Sequence, residues 1–276
     1  MFRLLQSSLK KKTLKLNNKI FLLLFLSFLL GCAEQLSDLH FRRGEKFWRK
    51  GNAPAAIKEL RLALNYNPSD RLREQVLLLM ATVASGSMQD FKTSLWAHEE
   101  RLRLISNPDQ QLVVQKQIAE IYANDLRDFS QSINKYQRLL ATHPQNSYEP
   151  EIRFEIARNY IRMENLQQAN VELSELINLF PKSTWAIQAR YQQGNIAYLN
   201  GSYKEARKIF QGIVNKYPGA EVAQYAIFGI GNCFEEEDDL LKAIESYKTI
   251  RKTYPNRGIL EERISNLERR YRERGR

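Results

Sequence analysis

Cys32, Cys233, His40, His98, His143 and the run Glu235–Asp239 are the side chains whose types suit nucleophilic, acid–base or metal chemistry. Cys32 follows the apolar run Ile20–Leu30, in which Ser27 is the one polar residue, and one glycine. Cys233 sits inside the apolar segment Tyr225–Phe234, which reads as a buried, inert thiol rather than a reactive one. The three histidines stand far apart, with no paired spacing for a metal. Glu235-Glu236-Glu237-Asp238-Asp239 carries enough charge for calcium but lacks the alternating ligands and central glycine of a calcium loop, and reads as a solvated turn. No GxSxG, HExxH, Walker or GxGxxG pattern occurs. No constellation meets the requirements of a catalytic site, so the chain reads as no enzyme, with no cofactor, no metal and no small-molecule substrate.

The segment before Cys32 sets its chemistry. Met1–Lys19 is polar and basic, and the apolar run that follows is eleven residues long. At about 1.5 Å per residue such a helix reaches roughly half of a ~30 Å hydrocarbon core. It is a signal-peptide core rather than a spanning helix. Leu29-Leu30-Gly31-Cys32 resembles the lipobox of bacterial lipoproteins. The resemblance implies removal of residues 1–31, lipidation of Cys32 by palmitate-type acyl chains, and a short tether over 32–39. A thiol is the nucleophile that can carry diacylglycerol, and Gly31 leaves room for a peptidase. Stable anchoring needs more than one acyl chain, each methylene adding about 0.8 kcal/mol. Residues 33 and 34 are Ala and Glu, so the Asp that resembles an inner-membrane retention mark is absent. The expectation is an outer-membrane anchor with the body facing the periplasm, or the cell membrane where there is no outer membrane.

The formal charge of +11 is concentrated at the two ends. Residues 1–31 hold six basic and no acidic side chains, 251–276 hold nine and four, and 32–250 hold 27 of each. A nucleic-acid binder carries a basic face on its folded body. This body is neutral, and no nucleic-acid partner is expected.

The body repeats itself. Gly201–Pro218 has Ala206, Phe210 and Ile213 on one helical face and closes on Tyr217-Pro218. Ala243, Tyr247, Ile250 and Tyr254-Pro255 repeat it, as do Ala169, Leu173, Leu176 and Phe180-Pro181. Prolines at 68, 108, 144, 181, 218 and 255 close successive units, in steps of 40, 36, 37, 37 and 37. A fixed period of this length marks a stacked repeat array. Each unit reads as two helices, the first of them Pro150–Met163, Thr184–Leu199 and Glu221–Phe234 in the later units. Small residues recur at the eighth and twentieth positions and apolar ones at the eleventh and twenty-fourth: Gly44, Phe47, Ala56, Leu60; Ala157, Tyr160, Ala169, Leu173; Gly194, Ala197, Ala206, Phe210; Gly231, Phe234, Ala243, Tyr247. The pattern resembles the tetratricopeptide repeat. Two units deviate: Gln115–Pro144 needs one extra residue, and Arg71–Pro108 puts Glu100 where the aromatic belongs. The fold expected is all-α, a helical-repeat superhelix of about six helix pairs over 40–255, with a basic capping helix over 256–276.

The resemblance also implies a binding groove lined by the first helices. Its positions fall on Phe41, Trp48, Phe154, Arg158, Tyr191, Asn195, Tyr198, Phe228 and Asn232. Aromatics and Arg are the types that dominate interface energetics, although cores share them. Asn195 and Asn232 match one place of a carboxylate clamp, but Tyr191 and Phe228 stand where its lysines belong, which favours an apolar peptide. The long turns and Tyr-Pro stops look like those of envelope lipoproteins of the barrel-assembly (BamD-like) group and the Tol–Pal accessory protein. The function implied is a periplasmic adaptor that binds another envelope protein in outer-membrane protein assembly. A pilotin for a secretin ring and a division- or peptidoglycan-linked accessory are the alternatives.

Overall fold

The computed structural model describes residues 33–274. The expected signal peptide and lipobox, with Cys32, lie outside the described residues. Within them the chain is all-helical: α1 (33–49), α2 (Ala53–Asn65), α3 (Asp70–Val83), α4 (Phe91–Leu104), α5 (Pro108–Glu120), α6 (Phe129–Thr142), α7 (Glu149–Arg162), α8 (Leu166–Leu179), α9 (Thr184–Leu199), α10 (Tyr203–Lys216), α11 (Glu221–Glu236), α12 (Leu240–Thr249) and α13 (Arg257–Arg274). None of the described helices is long and apolar enough to cross a membrane. The chain divides into two compact units, one ending at Arg127 and one starting at Asp128.

The period is written into the backbone at the turn inside each helix pair. Residues with positive φ stand at Gly51, Gln89, Arg127, Glu164, Gly201 and Asp238, in steps of 38, 38, 37, 37 and 37. Each reverses the chain in the left-handed region, where only glycine is free of steric cost. The next residue starts the second helix. Asn52, Asp90, Asp128, Asn165 and Asp239 each accept a hydrogen bond from the backbone N–H three residues on. Such a cap satisfies one of the orphaned donors at a helix start and contributes about 1 kcal/mol.

The first unit packs α2, α3 and α4 around Ala56, Leu60, Val76, Met80 and Ala97. Residues 33–39, expected as a tether, are the opening of α1. Ser37 is buried and donates to the Ala63 carbonyl at 2.8 Å, which fixes that segment to α2. The deviations from the repeat have a structural cause. Ala84–Met88 and Ile121–Asp125 are π-helical turns, each a place where an α-helix absorbs an inserted residue. The second of them falls where the Gln115–Pro144 unit needs its extra residue. In α4 the core places follow its turn: Ser94, His98 and Arg101 stand four, eight and eleven residues after the capping Asp90, as Ala169, Leu173 and Leu176 stand after Asn165, so Trp96 and Glu100 are not core positions. Pro108 also differs from expectation: it opens α5 at its first turn, while α4 ends at Leu104 on the extended Ile105. Ser94, His98 and Arg101 form a buried polar stripe. Burial, then the neighbouring Arg101 charge, lowers the His98 imidazole to about 4, so it is neutral at pH 7.

The second unit has the more regular cores. Ala169, Leu173 and Leu176 pack with Ala157 and Ala189; Ala206, Phe210 and Ile213 pack with Val222, Ala226 and Cys233. Burial pushes the Cys233 thiol up to about 11, so it stays protonated within that core. Two glycines make room for Phe210. A Cβ on Gly229 would lie 2.7 Å from its ring, and one on Gly194 would come closer still. Gly231 stands in the same relation to Tyr247. Where the eighth position is Ala157, the twenty-fourth is the smaller Leu173.

This fit is testable. Gly194→Ala gains helix propensity of about 1 kcal/mol, yet it forces overpacking that costs about 1–3 kcal/mol. Urea unfolding should show net destabilisation. Adding Phe210→Leu, which copies the Ala157–Leu173 pairing, should recover part of it, with a coupling of about 0.5 kcal/mol or more. Strict additivity of the two changes would show that they do not share a space.

Candidate interaction face

The first helices of the second unit, α7, α9 and α11, carry most of the expected groove residues. Helical spacing puts Tyr191, Asn195 and Tyr198 on one stripe of α9, and Phe228, Asn232 and Glu235 on the matching stripe of α11. The stripes are joined by two rings that the repeat pattern did not single out. Tyr191 lies 6.3 Å from Tyr225, Tyr225 meets Tyr254 edge-on at 5.8 Å, and Tyr254 stacks on Phe228 at 5.0 Å. The four rings are each half-buried. Tyr254 reads in sequence as part of a helix stop, and only the fold brings it back onto α11. Tyr225 was legible in its three-residue spacing before Phe228.

Behind this ladder the rings grade into the core. Tyr191 lies 5.7 Å from Phe210, and Phe228 lies 5.2 Å from the fully buried Tyr247. Burial raises the phenols of Tyr191 and Tyr254 above their ordinary range. All the ladder's hydroxyls are therefore neutral donors at pH 7. The Tyr198 hydroxyl donates to Glu236 at 3.0 Å; burial, then that carboxylate, pushes it up to about 12.

The polar groove residues are partly committed elsewhere. Asn195 Nδ2 donates to Gln192 Oε1 at 3.2 Å. Asn232 Oδ1 accepts from the Tyr247 hydroxyl at 2.7 Å, so it supports the floor of the face. Arg158 is paired with Glu155 at 2.7 Å and keeps its outer edge open. Phe154 corrects the expectation: it is only 5% exposed and packs 5.1 Å from Trp185, because its stripe of α7 turns into the core with Ala157 and Leu173. In the first unit, Phe41 packs against that unit's core while Trp48 is exposed.

The acidic run lies at an exposed turn, as expected, and is also held by ion pairs and hydrogen bonds. Glu235 accepts from Arg263 at 2.9 Å, from Arg270 at 3.4 Å and from the Tyr247 hydroxyl at 3.3 Å. Glu236 holds Tyr198, and Glu237 pairs with Arg207. Asp238 takes two hydrogen bonds from Arg274, at 2.6 and 2.7 Å, and Asp239 caps α12. The Arg274 guanidinium holds the Asp238 carboxyl below its usual range. These pairs seat α13 over α12, where Leu260, Ile264 and Leu267 are buried against Ala243, Ile244 and Tyr247. Arg263 links the acidic run to the aromatic face, its guanidinium lying 5.5 Å from the Phe228 ring centre. Much of the basic charge of the C-terminal helix is thus spent within the unit.

Such a face holds half-buried aromatic surface, neutral hydroxyls and an arginine at the margin. It offers contact area and hydrogen bonding to another chain, the composition that carries binding energy at protein interfaces.

Three segments, residues 151–183, 188–220 and 225–257, match the family model described as tetratricopeptide repeat. All three lie in the second unit. No curated protein matches the sequence. Among solved structures, the chain resembles a tetratricopeptide repeat protein from Parabacteroides merdae at 15% identity, covering 85% of this chain and 99% of that one, with a TM-score of 0.50. It resembles PilW, described as a widely conserved type IV pilus biogenesis factor, at 13% identity, covering 83% and 98%, with a TM-score of 0.53. It also resembles the C-terminal part of a repeat protein from Cytophaga hutchinsonii at 12% identity, covering 84% and 92%, with a TM-score of 0.57. At these identities the likeness is one of fold. The second unit carries three tetratricopeptide repeats, and the chain has the all-helical fold of solved tetratricopeptide-repeat structures.

Proposed function

We propose that this chain is an envelope adaptor, lipidated at Cys32 on the periplasmic side of the outer membrane, that grips another envelope protein during outer-membrane protein assembly. The observation that carries the binding role is the half-buried ladder Tyr191–Tyr225–Tyr254–Phe228. A folded monomer leaves four contiguous aromatics partly open when a partner completes their burial. The rings fit an extended or helical segment with apolar anchors, and Arg158 and Asn195 at the margin suit its polar flanks. The anchor rests on the apolar run, Gly31 and Cys32, and the outer-membrane address on Ala33 and Glu34 following the cysteine. Anchoring keeps such an adaptor where its clients arrive, raising their effective concentration without any new contact.

Immobilised residues 33–276 should recover barrel-assembly subunits from envelope extract. A Tyr191→Ala/Tyr198→Ala/Phe228→Ala variant, shown folded by its helical circular dichroism, should lose them. Equal recovery by both forms overturns the face, and recovery of a secretin moves the role to that of a pilotin. In the same cells Cys32→Ser should shift the protein from the membrane pellet to the soluble fraction; a variant that still pellets contradicts the lipid anchor.

A further inference from the structure

The first unit contains a cleft that the repeat pattern does not anticipate. It encloses about 600 Å³ and is lined by Arg61 and Leu64 of α2, Arg73 and Leu77 of α3, and Lys92, Trp96 and Glu100 of α4, with Asn65 and Thr93 at its edges. That volume lies within the roughly 300–1,000 Å³ typical of ligand sites. Its main walls are α2 and α4, second helices of successive pairs, so it is a different surface from the first-helix face of the second unit.

Its lining divides into an apolar floor and a cationic rim. Leu77 is buried, Leu64 is half-buried, and Trp96 is 43% exposed. Trp96 is exposed because Ser94, Ala97 and His98 take the core-facing places of α4. Three cations line the same cleft. Arg73 donates to Asn67 at 2.8 Å. Neither Arg61 nor Lys92 makes a hydrogen bond or ion pair with a described residue. Two carboxylates lie near. Glu100 is paired with Arg103, and Asp90 caps α4 through the Thr93 N–H at 3.1 Å while feeling the charges of Arg61 and Lys92. The cleft thus keeps a positive rim above an apolar floor after its own acids are counted.

We propose that this cleft is a second docking site, which takes a short acidic segment of a partner protein, its carboxylates on Arg61, Lys92 and Arg73 and an apolar side chain against Trp96, Leu64 and Leu77. Charge complementarity selects this occupant. An uncharged apolar peptide leaves the cations unused, and a basic peptide is repelled. Arginine forks also match carboxylates in a bidentate fashion that sets orientation as well as affinity. The site is independent of the aromatic face in the second unit.

The test uses residues 33–276 and two dye-labelled peptides of equal length, one alternating Glu with Phe and Leu, the other carrying Lys in place of each Glu. Fluorescence anisotropy should show saturable binding of the acidic peptide only, weakening as salt rises. Arg61→Ser/Lys92→Ser should weaken it about tenfold or more, the loss of about 1.4 kcal/mol or more. Both changes are on exposed side chains, and unchanged thermal melting would confirm the fold. Tyr191→Ala/Phe228→Ala should leave the affinity as it was. Equal binding of both peptides, no binding, or full binding by the Arg61/Lys92 variant overturns the proposal. Vesicles of phosphatidylglycerol provide the remaining arm: if they bind through the same two cations while the acidic peptide does not, the rim serves a lipid surface and the peptide assignment falls.

Discussion

The insertion of Phe210 between two glycines governs how closely helices of the second unit approach. Without β-carbons at Gly194 and Gly229, α9 and α11 lie against opposite sides of one ring on α10. Protein interiors are packed as densely as organic crystals, so a single added methyl is felt there. The consequence extends outward. Because Phe210 sets where α9 and α11 stand, it sets the separation of Tyr191 and Tyr225, and hence the continuity of the aromatic face. Gly231 and Tyr247 repeat the arrangement one unit later, and Tyr247 in turn supports Phe228 and holds Asn232 and Glu235 through its hydroxyl. Core and candidate site are therefore one structure seen from two sides.

The parts legible in sequence were those dictated by local periodicity. The 37-residue step, the small-residue positions and the bounds of α9 could be read directly, since each repeat must solve the same packing problem with the same residue types. Two kinds of feature escaped. The left-handed turns at Gln89, Arg127 and Glu164 use residues with no intrinsic preference for that conformation, so nothing in their identity announces it. The π-helical turns escaped because nothing in their composition announces them, and Glu100 read as a defective core residue because the unit does not close on Pro108, which opens α5. The contacts of Tyr254 and of the acidic run escaped for a third reason: their partners are distant in sequence. Asp238 meets Arg274 and Glu235 meets Arg263 only after α13 has docked.

The charge distribution takes on a physical meaning in this setting. An array of stacked helices ends in an apolar face that must be closed. Here α13 closes it with Leu260, Ile264 and Leu267, and cross-helix pairs such as Arg251–Glu261 and Lys248–Glu268 reinforce the seating. Exposed pairs contribute little singly, but linked ones held against aromatic rings fix orientation. The second unit thus has its end sealed and its side open. The first unit has an opening of another character, cationic at the rim and apolar within. Two surfaces of such different chemistry on one chain suit a scaffold that brings unlike segments together.

The central claim is that the aromatic face of the second unit is where a partner sits. Photo-cross-linking in cells that express the protein tests it most directly, with a benzophenone-bearing residue placed at Tyr191 or Tyr225, and in controls at Lys208 or Gln211 on the outer side of α10. The account predicts one dominant adduct from the first pair and none from the second. Adducts from Lys208 or Gln211 alone, or the same adducts from all four positions, would contradict it.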